Sequence, residues 1–378
     1  MTSTAKGSVP DPSNSPGMPP RNWDALRHKV VGRFFSPLFS NAGSHLCAPG
    51  QLPTRGIHRI LVCRPNHRLG NAVLLSPLLA ELETLYPGAE IDMISAGDAA
   101  QTLFATRFQI RRIVGLPRKI ARHLWLTVRQ LRQLRSDTYD LAIDACNGSQ
   151  SGRLLLAIVN ARYKVGFPDD SQHEVPPEWV GRISPPHLAQ RNVFLLRTAY
   201  AGAIEREYPP LNVGLSASEL QQAGCTLDAI LGASGQTRTQ SVVGIFANAT
   251  GAKCYGETWW SEFLASLRTA RPDLRIVDVL AEHGRSQLGE RFPTYYTRDL
   301  RKLTGVIANM DAFISADCGV MHLAVASGTP TFGLFSVTDP VKYAPYGGHN
   351  MAFHTRDETA TSTAARAGEW LDRAAPAK

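Results

Sequence analysis

The sequence predicts an α/β protein made of two doubly wound domains that face each other across a central cleft. Three observations lead there. The chain has 378 residues, room for about two domains of 100–200 residues each. Short runs of Val, Ile and Leu alternate with segments of helical periodicity, which is the signature of a parallel sheet covered by helices. The alternation stops at Tyr208-Pro209-Pro210 and then starts again, so the pattern occurs twice. With 43% hydrophobic and 19% charged residues, the bulk of the chain is neither disordered nor fibrous.

Residues 1–57 read as an N-terminal tail carrying an amphipathic helix. Five prolines fall in the first 20 positions. Trp23, Leu26, Val30, Phe34 and Leu38 then recur at helical spacing, with Arg27, Lys29 and Arg33 between them. Such a stripe suits either an anionic lipid surface or the protein's own surface. The first domain is expected over 58–212. It opens with a strand at 60–63, a polar loop at 64–71, a helical stripe through Val73, Leu74, Leu78, Leu79, Leu82 and Leu85, and a strand at 90–95. A further strand is expected at 141–144. Between these lie nine Lys and Arg and no acidic residue over 107–135. Leu124, Trp125, Val128, Leu131 and Leu134 there form the face of a helix expected to pack on the sheet and leave the cations outward. The second domain is expected over 213–355. After a helix at 216–231, strands at 242–246, 275–280, 312–315 and 331–335 alternate with helices at 259–269, 300–308 and 321–327. Residues 356–378 read as a C-terminal tail or helix.

In open α/β sheets, ligands bind beyond the carboxyl ends of the strands. The informative residues are therefore those in loops that follow strands. In the second domain, the loop 247–253 combines small residues with Thr250, Gly251 and Lys253. Its backbone can approach a phosphate closely and Lys253 can supply a point charge, although a solvated turn with a surface lysine fits the same residues. Gly-Lys-Ser/Thr is absent, which disfavours ATP hydrolysis. The loop Asp317-Cys318-Gly319, leading into a helix with His322, offers free N–H groups to an anion. Asp317 as a simple N-cap and His322 as a satisfied core histidine are the plainer readings. A third loop, 335–340, follows the next strand and should line the same cleft edge. In the first domain, Arg64, His67 and Arg68 suit an anionic ligand, and Asn71 in the same loop cannot accept a proton.

Other classes are excluded or narrowed. The longest apolar run, 154–159, falls far short of the roughly 18 residues of a spanning helix. The first 30 residues lack the apolar core of a secretory signal, so a cytoplasmic location is expected. Six cysteines (Cys47, Cys63, Cys146, Cys225, Cys254 and Cys318) lie apart from one another and read as small core thiols, not zinc or redox pairs. No D-x-D triplet is present to hold a divalent metal. The net charge of +8 admits an acidic substrate, an anionic membrane surface or a solvated face, and no recognition motif accompanies it for nucleic acid. No strand is followed by G-x-G-x-x-G, which argues against a nicotinamide oxidoreductase.

Taken in order, these loops resemble the heptosyltransferases of glycosyltransferase family 9, over about 60–350. The most specific match runs from Arg298-Asp299-Leu300 through Ser315-Ala316-Asp317-Cys318-Gly319-Val320-Met321-His322 to Gly328-Thr329-Pro330 and Thr338-Asp339-Pro340. Leu69-Gly70-Asn71 with Ser76-Pro77, and Tyr139-Asp140-Leu141, match in the first domain. The resemblance implies a GT-B fold, a nucleotide-sugar donor such as ADP-heptose held by the second domain, an acceptor held by the first, and no metal requirement. It implies an inverting transferase acting on a lipopolysaccharide-core or other anionic glycolipid acceptor; beside that acceptor, the positive charge of the N-terminal tail and of 107–135 points to peripheral contact at the inner face of a membrane. By the same resemblance, Thr250 and Lys253 match diphosphate-contacting positions, Glu282 matches the acidic residue on the ribose, and Asp317, Cys318, Gly319 and His322 match the loop at the sugar and phosphates. Arg64, His67, Arg68 and Gly70 fall on the acceptor side. The family's loop reads Leu-Gly-Asp, with the aspartate as general base; here it reads Leu69-Gly70-Asn71. Asp144, Asp98 and His67 are the substitute bases that neighbouring strand ends offer. The alternative is a catalytically silent GT-B scaffold that binds a nucleotide or a partner.

Overall fold

A computed structural model describes residues 46–117, 124–146, 150–167, 184–232 and 240–375. The amphipathic stripe expected between Trp23 and Leu38 lies outside them. Two all-parallel sheets form the frame. The first contains β1 (Arg59–Arg64), β2 (Glu90–Ala96), β3 (Ile110–Leu116), β4 (Thr138–Asp144) and β5 (Asn160–Val165) in the order β3-β2-β1-β4-β5. The second contains β6 (Val242–Phe246), β7 (Arg275–Val279), β8 (Thr294–Tyr295), β9 (Ala312–Ala316), β10 (Thr331–Phe335) and β11 (Met351–His354) in the order β11-β10-β9-β6-β7-β8. Both are doubly wound, and each reverses direction once. The reversal falls between β1 and β4 in one sheet and between β6 and β9 in the other, and a crevice opens at such a point.

The central strands are apolar runs because both of their faces are covered. Ile60, Leu61, Val62 and Cys63 of β1 are fully buried, as are Val243 and Ile245 of β6. The stripe predicted after β1 folds as two helices, α1 (Leu69–Val73) and α2 (Ser76–Leu85). Pro77, in the first turn of α2, lacks the N–H that would continue one helix and starts a new one. Then follow α3 (Ala99–Phe104), α4 (Leu124–Ser136), α5 (Gln150–Ile158), α6 (Leu188–Ala199) and α7 (Ala217–Ile230). Helix α7 begins at a capping box in which Ser216 and Glu219 satisfy each other's backbone N–H groups. The second domain adds α8 (Glu257–Ala270), α9 (Leu300–Ala308), α10 (Gly319–Ala326), α11 (Pro340–Tyr343) and α12 (Ala360–Ala374). Trp260, Phe263 and Leu267 of α8 share one core with Ala364, Ala367 and Leu371 of α12.

Three expectations need correction. Trp125 does not pack on the sheet: it is 81% exposed, whereas Leu134, on the opposite side of α4, is buried. Helix α4 is anchored by Leu134 and by Gln130, which donates to the Gly115 carbonyl at 3.0 Å. The basic run is not uniformly solvated either. Arg111 and Arg112 converge on the buried Asp92 carboxylate, at 2.5 and 2.9 Å, and Arg107 pairs with Glu83 at 2.5 Å. Their partners lie outside the run, so the local sequence hides the neutralisation. Finally, Cys225 and Cys254 are exposed and only Cys47, Cys63 and Cys146 are buried. The Cys254 thiol is drawn outward by a hydrogen bond to the Ala249 carbonyl at 2.7 Å.

Candidate active site

The two switch points face each other and touch. Helix α1, which follows β1, meets helix α10, which follows β9. A Cβ on Gly319 would stand 2.8 Å from Leu69 Cβ and 3.0 Å from the Gly70 nitrogen. A Cβ on Gly70 would stand 3.0 Å from the His322 ring. Gly319 therefore leaves no room for a side chain without a shift, and one at Gly70 would need His322 to give by a few tenths of an ångström, so the two domains approach closely here.

On the second-domain side, Lys253 Nζ donates to Asp317 Oδ2 at 2.6 Å, and the Thr338 hydroxyl donates to the same oxygen. Asp317 is buried, while Lys253 remains partly open to the cleft. Asp317 does not cap α10. Cys318 occupies the N-cap, and no side-chain cap hydrogen bond closes the helix end. Thr250 starts the short 3-10 turn Gly251–Lys253 and is exposed. Glu282 is exposed on the loop after β7, where its carbonyl accepts from the Tyr296 hydroxyl at 3.0 Å. The adjacent His283 reaches Asn248 at 3.1 Å and ties this loop to the one after β6. His322 is buried and its Nδ1 has no hydrogen-bond partner. Burial pushes its pKa down to about 4, so at neutral pH it is an uncharged imidazole and Lys253 is the cation at this end of the cleft.

On the first-domain side, Arg64 and Asn71 line a cavity of about 320 Å³ together with Arg191, Asn192, Lys342 and Tyr343. Arg64 donates to the Ala145 carbonyl. Asp144 ends β4 beside it, buried, and its Oδ1 accepts from the Cys146 backbone N–H at 2.9 Å. Gly152 leaves room for this carboxylate, because a Cβ there would overlap it. Burial pushes the Asp144 pKa up to about 7, against the pull of the Cys146 N–H, Arg153 and Arg64. Cys146 lines the cavity but Asp144 lies behind it. His67 and Arg68 are exposed and outside the cavity wall, because an Asx turn from Asn66 to the Arg68 N–H at 2.8 Å turns the loop outward. Asp98 is exposed at the start of α3 and is also outside the wall.

Thus Lys253, Asp317, Cys318, Gly319, His322 and Gly70 come together, Arg64 and Asn71 share a neighbouring wall with Asp144 behind it, and His67, Arg68 and Asp98 stay apart. Thr338, Arg191 and Lys342 are additions. Thr338 and Lys342 follow β10, in or just beyond the third loop singled out above. No local pattern marks Arg191.

Comparison with known proteins agrees with this architecture. The model of glycosyltransferase family 9 (heptosyltransferase) matches residues 127–367. Lipopolysaccharide heptosyltransferase 3 of Escherichia coli is 23% identical over 321 residues, covering 76% of this chain and 86% of the relative. Lipopolysaccharide heptosyltransferase 1 of Pseudomonas aeruginosa is 26% identical over 303 residues, covering 76% and 81%. Among solved structures, that of the E. coli heptosyltransferase WaaC with ADP superposes with a TM-score of 0.61 at 20% identity, covering 82% of this chain and 99% of the other. With two facing doubly wound domains and a family match over most of its length, the chain belongs to glycosyltransferase family 9, the heptosyltransferases, and is a glycosyltransferase of GT-B fold.

Proposed function

We propose that this transferase moves a heptose from ADP-heptose, with inversion, to a hydroxyl on an anionic glycolipid or oligosaccharide of the lipopolysaccharide-core type. The observation that carries the reading is the meeting of the two switch points, which brings Lys253 and the open N-terminus of α10 to the same cleft as Arg64 and Asn71. The relatives' names supply the donor and acceptor class. The domain boundaries near 212 and 355 follow from the two sheets on the same reading.

The donor lies on Thr250, Lys253, Glu282, Asp317, Cys318, Gly319 and His322. Asp317, itself held by Thr338, positions Lys253. Lys253 and the first N–H groups of α10 then stabilise the charge that grows on the departing diphosphate. They do electrostatically what a divalent ion does in metal-dependent transferases. The acceptor oxygen attacks the anomeric carbon from the face opposite the diphosphate. The carbon–oxygen bond breaks and ADP leaves with the electron pair. Asn71 orients the accepting hydroxyl, and Asp144, just behind the wall at Cys146, receives its proton, because its pKa near 7 suits a base at neutral pH. Lys253→Ala should lower kcat by about 10²-fold or more with EDTA in both assays; an unchanged rate would remove Lys253 from the mechanism.

The acceptor domain docks on an anionic membrane through the outer face of α4. Trp125, Arg129 and Arg132 are all exposed and fall at positions i, i+4 and i+7, one side of a helix. An aromatic ring flanked by cations suits the headgroup layer.

A further inference from the structure

The cavity of about 320 Å³ between the domains is lined by Arg64 from the loop after β1, Arg191 from α6 and Lys342 from α11. Among the described residues, no carboxylate lines it. Asp144, behind the wall, offsets part of the Arg64 charge, but among the described residues no carboxylate stands between the three cations, and a fold keeps such like charges together most readily when an anion completes the set. Arg64 is held by one nitrogen to the Ala145 carbonyl, and its Nε is buried without a hydrogen-bond partner. Arg191 is held by Nε to the Pro185 carbonyl at 3.0 Å. Lys342 forms no ion pair among the described residues.

The walls are fixed to each other across the domain boundary. His187, the N-cap of α6, accepts the Ala189 N–H on Nδ1 at 3.2 Å. Its other nitrogen therefore carries the proton and donates to the Ala344 carbonyl, just after α11, at 3.0 Å. The same ring stacks on Tyr346 at 5.1 Å. One residue thus sets the Arg191 wall against the Lys342 wall. The volume is at the small end of ligand pockets, roughly 300–1,000 Å³, and fits one sugar-sized unit. Asn71 and Asn192 supply amides for its hydroxyls.

We propose that Arg64, Arg191 and Lys342 form a two-domain oxyanion subsite that holds a phosphate or carboxylate group of the acceptor beside Asn71. The proposal rests on the reading of this cleft as the acceptor site and adds which group of the acceptor is recognised and by what. Because Lys342 belongs to the donor domain, binding of that anion bridges the domains.

The test uses the full chain saturated with ADP, so that the Lys253 end of the cleft is filled, and follows glycerol 3-phosphate, gluconate and neutral glycerol by calorimetry and thermal shift. The subsite predicts that one of the two anions binds and glycerol does not, the preferred anion telling phosphate from carboxylate. Lys342→Gln and Arg191→Gln should each weaken that binding about tenfold or more, Lys342→Arg should largely keep it, and ADP affinity should stay the same in all three. Binding of neither anion, or equal binding by wild type and both Gln variants, would overturn the subsite. A chain that bound no ADP yet lost anion binding in Lys342→Gln would overturn the donor reading and still support the subsite.

Discussion

Asn71 places an amide where the family's loop has a carboxylate, and its neighbours define what that exchange does. It lines a wall with Arg64, and Asp144 lies behind Cys146 of that wall. If Asp144 takes the proton, Asp144→Asn should lower kcat by about 10²-fold or more without changing the KM for the donor, and adding Asn71→Asp should restore much of it. Complete loss of activity in Asn71→Asp alone would argue against an orienting amide. Asp144 also has a stability signature. Its folded-state pKa is raised from 3.8 to about 7, so its contribution is full below pH 3.8 and is lost as pH rises through 7. The Tm of Asp144→Asn relative to wild type should therefore climb between about pH 4 and about pH 7. His322, lowered from 6.5 to about 4, has the opposite sign: its contribution is present above 6.5 and is lost as pH falls through 4. Comparison of variant with wild type separates the two. The loops proposed to hold the donor were legible in the sequence as loops, because each directly follows a buried strand. Arg191 and Lys342 were not, because their wall exists only once α6 and α11 meet across the domains.

Among the elements, α1 and α10 pack closely across the domain boundary. Gly319→Ala would push a Cβ against Leu69 and the Gly70 backbone, so the domains must separate slightly. A displacement of that kind should cost about 10²-fold in kcat/KM with little change in Tm, and a normal rate would show that the contact is not needed for turnover. Helix α4 makes a separate prediction: Trp125→Ala combined with Arg129→Gln should reduce sedimentation with anionic vesicles and leave turnover on a water-soluble acceptor unchanged. Strands β6 and β10 and helix α9 were legible to the residue, since each is an apolar stretch bounded by turn or cap residues; Asp299, for example, caps α9 through the Arg301 and Lys302 N–H groups. Strand β3 was not. Its arginines look like solvated charge until Asp92, on the neighbouring strand, is seen to neutralise them.

At the scale of the whole molecule, the domains are joined by contacts that no single motif announces. Arg301 of α9 donates to the Leu103 carbonyl at 2.9 Å, linking the second domain to the first, and is held in place within its own domain by Glu219 at 2.5 Å and the Val213 carbonyl at 3.1 Å. The pair holds the Glu219 carboxyl down at about 2, so the contact that positions Arg301 for this link persists until strongly acid pH. Two doubly wound sheets were legible from the repeated alternation, but their closeness was not, because it depends on two glycines and a histidine far apart in sequence. The most direct test of the account is the anomeric configuration of the product, read by proton NMR after incubation of ADP-heptose with a lipopolysaccharide-core acceptor in EDTA. The account predicts transfer with inversion relative to the donor; retention of configuration, or release of ADP and free heptose with no glycoside formed, would contradict it.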